Sequence, residues 1–490
     1  MARPPFEEIP FRYVDAENEL MFSPEVVREG YVNIANFERE VLHPAICIVH
    51  GAKGSGKTGV AMKCKQLAEE RKNWFVDVDD LEKFQFSDLR SQNGSKRSMQ
   101  ANSFPVWRML LAIKMAEILG RDDELHAKNP NLDRILTSLE EVGLVADGTV
   151  RQIATQTAQR GSFAKIKSAV LDSGVQGRQA RPRQLKSASG LADGVMKVLC
   201  GLKSVGGKYI GFFDGLDYVL RYGRSHVEDL RELIAAVIDI NRALIQARLD
   251  AKFVLLLRRE VLSMIPDPNL SKKLNDNGLE LSWKGPPSEM MSWPLLEVVS
   301  RRANSIGIAG SASNLWPVWF QEDTFFDRSS VSGFSSAGFV LDHTRFMPRD
   351  VVKLFACLQD IDSHIPFSRD AVLSALVAYS EWFRTELNDA IVGIVVDEVR
   401  LKVPVILQSL GRSFDSHNFA IAMERHGVAD RQSPHDVLSA LYDTSWIGQE
   451  FRNDAGYHRF SFKHRNKSSK FIWERGNSVH RGLWKALNMI

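Results

Sequence analysis

Residues 51–58 read Gly-Ala-Lys-Gly-Ser-Gly-Lys-Thr, a full match to the spacing G-x-x-x-x-G-K-[ST]. Each residue type has a task in holding phosphate. Gly51, Gly54 and Gly56 let backbone N–H groups turn inward around an anion. Lys57 can reach the outer phosphates of a nucleotide, and the Thr58 hydroxyl can hold Mg²⁺. Ala52, Lys53 and Ser55 complete the loop that would form the cradle. A second group reads Phe212-Phe213-Asp214-Gly215-Leu216-Asp217. An acid ending an apolar strand beside a phosphate loop is suited to the Mg²⁺ hydration shell, which assigns that task to Asp214. A solvated strand-end Asp is the plainer alternative. Asp217, one turn on, either orients an attacking water or caps the next turn. Arg258 ends another apolar run and suits charge developing on phosphoryl oxygens, although a surface Arg at a strand end would look the same. In Phe346-Met347-Pro348-Arg349-Asp350, Pro348 marks a helix start, and Arg349 is either a cation aimed at the nucleotide or part of an ordinary helix N-terminus.

These residues need a frame that converges on one place. Ala45–His50 is a short apolar run with strand character, and Gly59–Arg71 has helical spacing, with Val60, Cys64 and Leu67 on one face. Strand, glycine loop and helix N-terminus in that order suit anion binding at a helix dipole. Further strands are expected at 74–78, 209–213, 252–257 and 279–283, with a strongly amphipathic helix between 227 and 245. Apolar strands alternating with helices indicate an α/β fold with a parallel sheet covered on both faces. The expected organisation is a lead-in over 1–44, a phosphate-loop core over 45–290 with a helical insertion at about 84–205, a helical lid over 291–390, and a last region over 391–490. Residues 172–190 are rich in Gly, Ser and Arg and read as a mobile basic loop. The stretch Tyr457–Lys463 reads as a hairpin, followed by a terminal helix.

The chain has 490 residues, 44% apolar and 25% charged, with a net charge of +3. That is the balance of a globular multidomain protein and not of one that coats polyanions. The four scattered cysteines, Cys47, Cys64, Cys200 and Cys357, form no metal-ligand spacing and suggest a reducing cytosol. No apolar run is long enough to span a membrane, and no apolar signal core opens the sequence. No nuclease-like constellation is visible.

Taken together, GAKGSGKT, FFDGLD, FVLLLRRE, PDPNLSKKLNDNGLELSW, MPRDVVKL and VHRGLWKALNMI, in this order, resemble a bacterial P-loop ATPase family close to the STAND and AAA+ ATPases. The resemblance covers nearly the whole chain from about residue 12. It implies a P-loop NTPase core, a helical lid, a C-terminal winged-helix-like region, ATP and Mg²⁺ as cofactors, and a switch often found among antiphage defence genes. A homo-oligomer or a separately encoded effector would be the partner. The chain departs from the family at Tyr218, where STAND proteins usually carry another acid. That departure implies slow hydrolysis.

Residues 451–490 hold nine basic and two acidic residues, a net +7, interleaved with Phe460, Phe462, Phe471, Trp473 and Trp484. The alternatives are a nucleic-acid face, used by an ATP-regulated initiator or loader, and a solvated surface over a small core. A small-molecule kinase is a third reading, although the chain carries more lid than a kinase needs.

Overall fold

The computed structural model describes residues 6–81, 103–141, 149–150, 152–153, 188–216, 224–285, 287–325, 335–361, 365–452 and 458–489. The chain divides into two compact units. A sheet unit holds Ala35–Gly51 and Lys57–Leu281, and a helical unit holds Met1–Ile34, Ala52–Gly56 and Ser282–Ile490.

The sheet unit is built on five parallel strands: β1 (Ile48–Gly51), β2 (Trp74–Asp80), β3 (Lys208–Asp214), β4 (Ala251–Arg258) and β5 (Gly278–Glu280), in the order β2-β3-β4-β1-β5. β3 and β4 are buried over almost their whole length, as expected for strands covered on both faces. The helices of this unit include α1 (Lys57–Glu70), α2 (Phe104–Gly120), α3 (Ala188–Cys200) and α4 (Arg224–Gln246). α2 packs against α3, α4 and β3, so it is apolar around most of its circumference, and Val106, Trp107, Leu110, Leu111 and Ile118 are all fully buried. In β3, Gly211 gives way to aromatic packing. A Cβ there would stand 2.6 Å from the Phe253 ring, which stacks on Phe213 at 5.2 Å.

The approach to β1 is pinned by a buried cation. Lys252, in β4, donates to the carbonyl oxygens of His43 at 2.8 Å and Ile46 at 3.0 Å, and also to Val41. These carbonyls close the short helix Phe37–Leu42 and the turn after it. Burial pulls the Lys252 pKa down to about 8.

The register decides what stands at the C-terminal edge of the sheet. β4 lies between β1 and β3, pairing Gly51 with Arg258 on one side and Phe213 with Leu255 on the other. Strands are spaced by about 4.8 Å, so the tips of β1 and β3 stand about 10 Å apart with the end of β4 between them.

The helical unit contains the helices Pro294–Asn304, Ala312–Trp319, Ser336–Asp342, α5 (Pro348–Ile361) and α6 (Arg369–Ala390), then shorter helices and a four-stranded sheet. Its strands are β6 (Ser413–Phe414), β7 (Ile447–Arg452), β8 (His458–Ser461) and β9 (Asn477–Val479), ordered β6-β9-β7-β8 with antiparallel pairs. The residues read as a hairpin therefore contribute one strand, β8, whose partner is β7. The expected terminal helix is a single 3₁₀ turn at Arg481–Leu483. Phe6 and Phe11 belong to this unit's aromatic core, with Trp319, Phe355 and Phe367. Among the described residues, no helix is long and apolar enough to cross a membrane.

Candidate functional site

β1 ends at Gly51 and α1 begins at Lys57, so the glycine loop occupies the strand-to-helix turn. Gly54 and Gly56 adopt φ of +83° and +86°, conformations that residues with a Cβ rarely take. Left-handed turns of this kind aim successive amides into one concavity. Within the loop the Ser55 N–H donates to the Ala52 carbonyl at 3.2 Å. The fully buried Ser55 hydroxyl has no hydrogen-bond partner. The loop flanks, Gly51 and Lys57, belong to the sheet unit, and Ala52–Gly56 belongs to the helical unit.

In the sheet unit, Lys57 is nearly buried, and its Nζ lies 3.4 Å from the Gly51 carbonyl oxygen. Thr58 Oγ1 donates to Asp214 Oδ2 at 2.5 Å. The other Asp214 oxygen accepts the Gly215 N–H at 2.8 Å, which fixes the carboxylate at the strand tip. A hydroxyl and a carboxylate oxygen this close form the start of a hard, oxygen-only donor set. Adjacent ligands on octahedral Mg²⁺ stand about 2.9 Å apart, so the pair needs only to part by a few tenths of an ångström to share one ion. Thr58 and Asp214 therefore fit a magnesium ion.

Arg258 closes β4 and is the register partner of Gly51, the first residue of the loop. Its neighbour Arg259 forms an ion pair with Glu280 at the end of β5. Asp217 and Tyr218 lie outside the described residues. Sequence reading passed over Asp80, which ends β2 in register with Asp214. Paired residues on adjacent parallel strands share a face, so two acids stand side by side at the sheet edge. The signal was there in Asp77-Val78-Asp79-Asp80, a strand that closes in acids. Asp79 points to the opposite face. It is buried, accepts the Val150 N–H at 2.6 Å, and has its pKa pushed up to about 6 by burial.

In the helical unit, the other part of the loop is gripped by three groups. The Trp283 indole donates to the Ser55 carbonyl at 2.8 Å. Arg349 packs on Gly54, where a Cβ would stand 3.2 Å from the Arg349 Cβ. Lys53 Nζ lies 3.3 Å from Glu386 Oε2 and 3.5 Å from Asp389 Oδ2, both near the end of α6. Arg349 Nη1 lies 3.6 Å from the same Glu386 oxygen. Burial acts to raise the Glu386 pKa, but the charges of Lys53, Arg349 and Arg345 outweigh it and hold the carboxyl below its ordinary value. The turn that presents Arg349 is itself locked. The Arg345 guanidinium pairs with the fully buried Asp350 through two bonds of 3.0 and 2.7 Å, and Asp350 also accepts the Arg345 N–H at 2.9 Å.

Three C-terminal cations are neutralised within the unit. Arg465 and Arg481 share Asp342 at 2.7 and 3.1 Å, and Lys463 lies 3.5 Å from Asp443. Phe462 is buried, whereas Phe460 is exposed. The charge excess of residues 451–490 is thus partly internal.

No protein-family model matches the chain, and no curated protein is significantly similar to it.

Proposed function

We propose that the chain is an Mg-ATP-binding and ATP-hydrolysing switch of the STAND/AAA+ kind, with a P-loop NTPase core and a C-terminal winged-helix-like region. The observation that carries this reading is the 2.5 Å contact between Thr58 and Asp214 at the foot of a loop with two left-handed glycines. In this reading the loop amides and Lys57 hold the β- and γ-phosphates, and Thr58 and Asp214 hold Mg²⁺, which would neutralise charge on the phosphoryl oxygens. Arg258, one strand spacing from Gly51, supplies a cation at the γ-phosphate. Lys53, in the loop itself, and Arg349, packed on Gly54 of the loop, are further cations for the nucleotide. The water-orienting acid is Asp217 or Asp80. Tyr218, where STAND proteins usually carry another acid, suits a slow, nucleotide-held switch more than rapid turnover. The toxic or signalling output would reside on a partner, and a role in bacterial antiphage defence rests on the family resemblance alone.

The test is ATP binding and turnover by wild type, Lys57→Ala and Asp214→Asn, with and without Mg²⁺. The reading requires that Lys57→Ala lose binding. Asp214→Asn should keep metal-free binding and lose the gain that Mg²⁺ gives. Equal binding by all three proteins would refute it. The DNA-loader reading loses support from the three internally paired cations, and it predicts steeply salt-dependent DNA binding that disappears on removal of residues 451–490.

A further inference from the structure

We infer that Glu386 sets the discrimination between nucleoside triphosphate and diphosphate, by standing as an internal anion on the two cations that the γ-phosphate must recruit; this rests on the nucleotide reading above. Four observations converge on this carboxylate. It faces both Lys53, inside the phosphate loop, and Arg349, packed on Gly54 of the same loop. It is mostly buried, at 15% side-chain exposure, and so is Lys53 at 13%. It is held ionised by these cations despite its burial. Both of its contacts are long. At 3.3 and 3.6 Å, Glu386 Oε2 sits outside the range of about 2.7–2.9 Å for a charge-assisted hydrogen bond.

Two converging cations held by one stretched carboxylate are matched better by a phosphoryl group, whose charge is spread over three oxygens. A γ-phosphate would therefore replace Glu386 at Lys53 and Arg349. A diphosphate would leave the carboxylate in place, because the β-phosphate is served by the loop amides and Lys57. Triphosphate binding must then displace Glu386, while diphosphate binding does not, so the acid lowers affinity for ATP selectively. Asp389 reaches only Lys53, at 3.5 Å, and is 54% exposed, so its share is smaller.

The experiment measures dissociation constants for ATP and ADP by calorimetric titration of the full chain. The proteins are wild type, Glu386→Gln, and Glu386→Gln in a Lys53→Ala/Arg349→Ala background. The ratio Kd(ADP)/Kd(ATP) is read because it does not depend on the fraction of active protein. Glu386→Gln is expected to raise this ratio about tenfold, chiefly through tighter ATP binding, and to leave it unchanged in the background lacking both cations. An unchanged ratio in a Glu386→Gln protein that binds ADP normally overturns the inference and leaves the nucleotide reading standing. If wild type, Glu386→Gln and Lys57→Ala all bind neither nucleotide, both fall together. Should Glu386→Gln fail to fold, Asp389→Asn must shift the ratio in the same direction by a smaller factor, and no shift there is equally fatal.

Discussion

Lowering the pH from 7.5 to 5 should destabilise the helical unit through three buried imidazoles. His343, His464 and His480 are 8%, 9% and 1% exposed. Burial pulls the His343 pKa down to about 4. Burial, with Arg465 and Arg345 nearby, holds His464 and His480 well below the ordinary value. A base whose folded pKa is depressed binds fewer protons in the native state. Its stability contribution is therefore complete above about pH 6.5 and is lost as pH falls toward the folded pKa. For His343 at pH 5, the unfolded chain is almost fully protonated at this position and the folded chain about one-tenth protonated. Linkage gives a loss of about 2 kcal/mol between pH 7.5 and 5. His464 and His480 act in the same direction, partly offset by Asp443, whose pKa burial raises. At about 2–4 °C per kcal/mol for a unit of this size, His343 alone should lower its melting temperature by about 4–8 °C, and the other two histidines should add to the fall. Glu386, with a lowered pKa, loses its contribution only at more acid pH, so this window belongs to the histidines. Scanning calorimetry at pH 7.5, 6.5, 5.5 and 5 measures the drop. The His343→Gln variant, which keeps a donor for the Phe339 carbonyl bound at 2.8 Å, should lose about 2 kcal/mol of the fall between pH 7.5 and 5. A melting temperature that stays flat across this range, or the same slope in His343→Gln, refutes the reasoning.

Gly54→Ala puts a Cβ at a φ of +83° and against Arg349, so ATP affinity should drop at least about tenfold and the strain, about 1–2 kcal/mol, should lower the melting temperature by about 2–8 °C. Titration and a thermal melt on the same sample check this. Lys252→Met leaves two buried carbonyls and one part-buried carbonyl without their donor, and denaturant unfolding should show a loss of about 3 kcal/mol. Asp80→Asn should lower kcat by about 10- to 100-fold with little change in KM for ATP, as expected for an acid that acts on water and not on nucleotide. Steady-state hydrolysis measures it, and unaltered turnover would return the task to Asp217.

Elements whose pattern is local and repetitive were legible in the sequence. β3 and β4 appear where continuous apolar runs put them, because a strand buried on both faces needs apolar residues throughout, whereas the edge strands β2 and β5 are only half-buried. α1 and α4 follow their 3.6-residue stripes. Pro348 marks the start of α5, because its fixed φ and missing N–H suit a first turn. What escaped depends on pairing across sequence distance. That Tyr457–Lys463 holds one strand paired with Ile447–Arg452 is a matter of register, which periodicity does not encode. Asp80 gained meaning only once the β2–β3 register set it beside Asp214. Glu386 lies on a helix of ordinary amphipathic pattern, 333 residues from Lys53 in sequence, and nothing local marks it. The pairing of Arg465 and Arg481 with Asp342 was hidden for the same reason, since Asp342 lies more than a hundred residues upstream.

The aromatic core of the helical unit has a consequence for how the molecule comes into being. Gln359 donates to the carbonyls of Phe6 and Ile9 at 2.8 Å each, and Arg302 donates to that of Pro10 at 2.6 Å. The earliest described segment thus finds its partners only after some 290 further residues have been synthesised. During translation, Phe6 and Phe11 must wait exposed while the intervening sheet unit emerges and closes. The order of assembly is therefore inverted relative to the order of synthesis at this end. A nascent chain that stalls after the sheet unit would display an unpaired aromatic segment, a natural ligand for a holding chaperone.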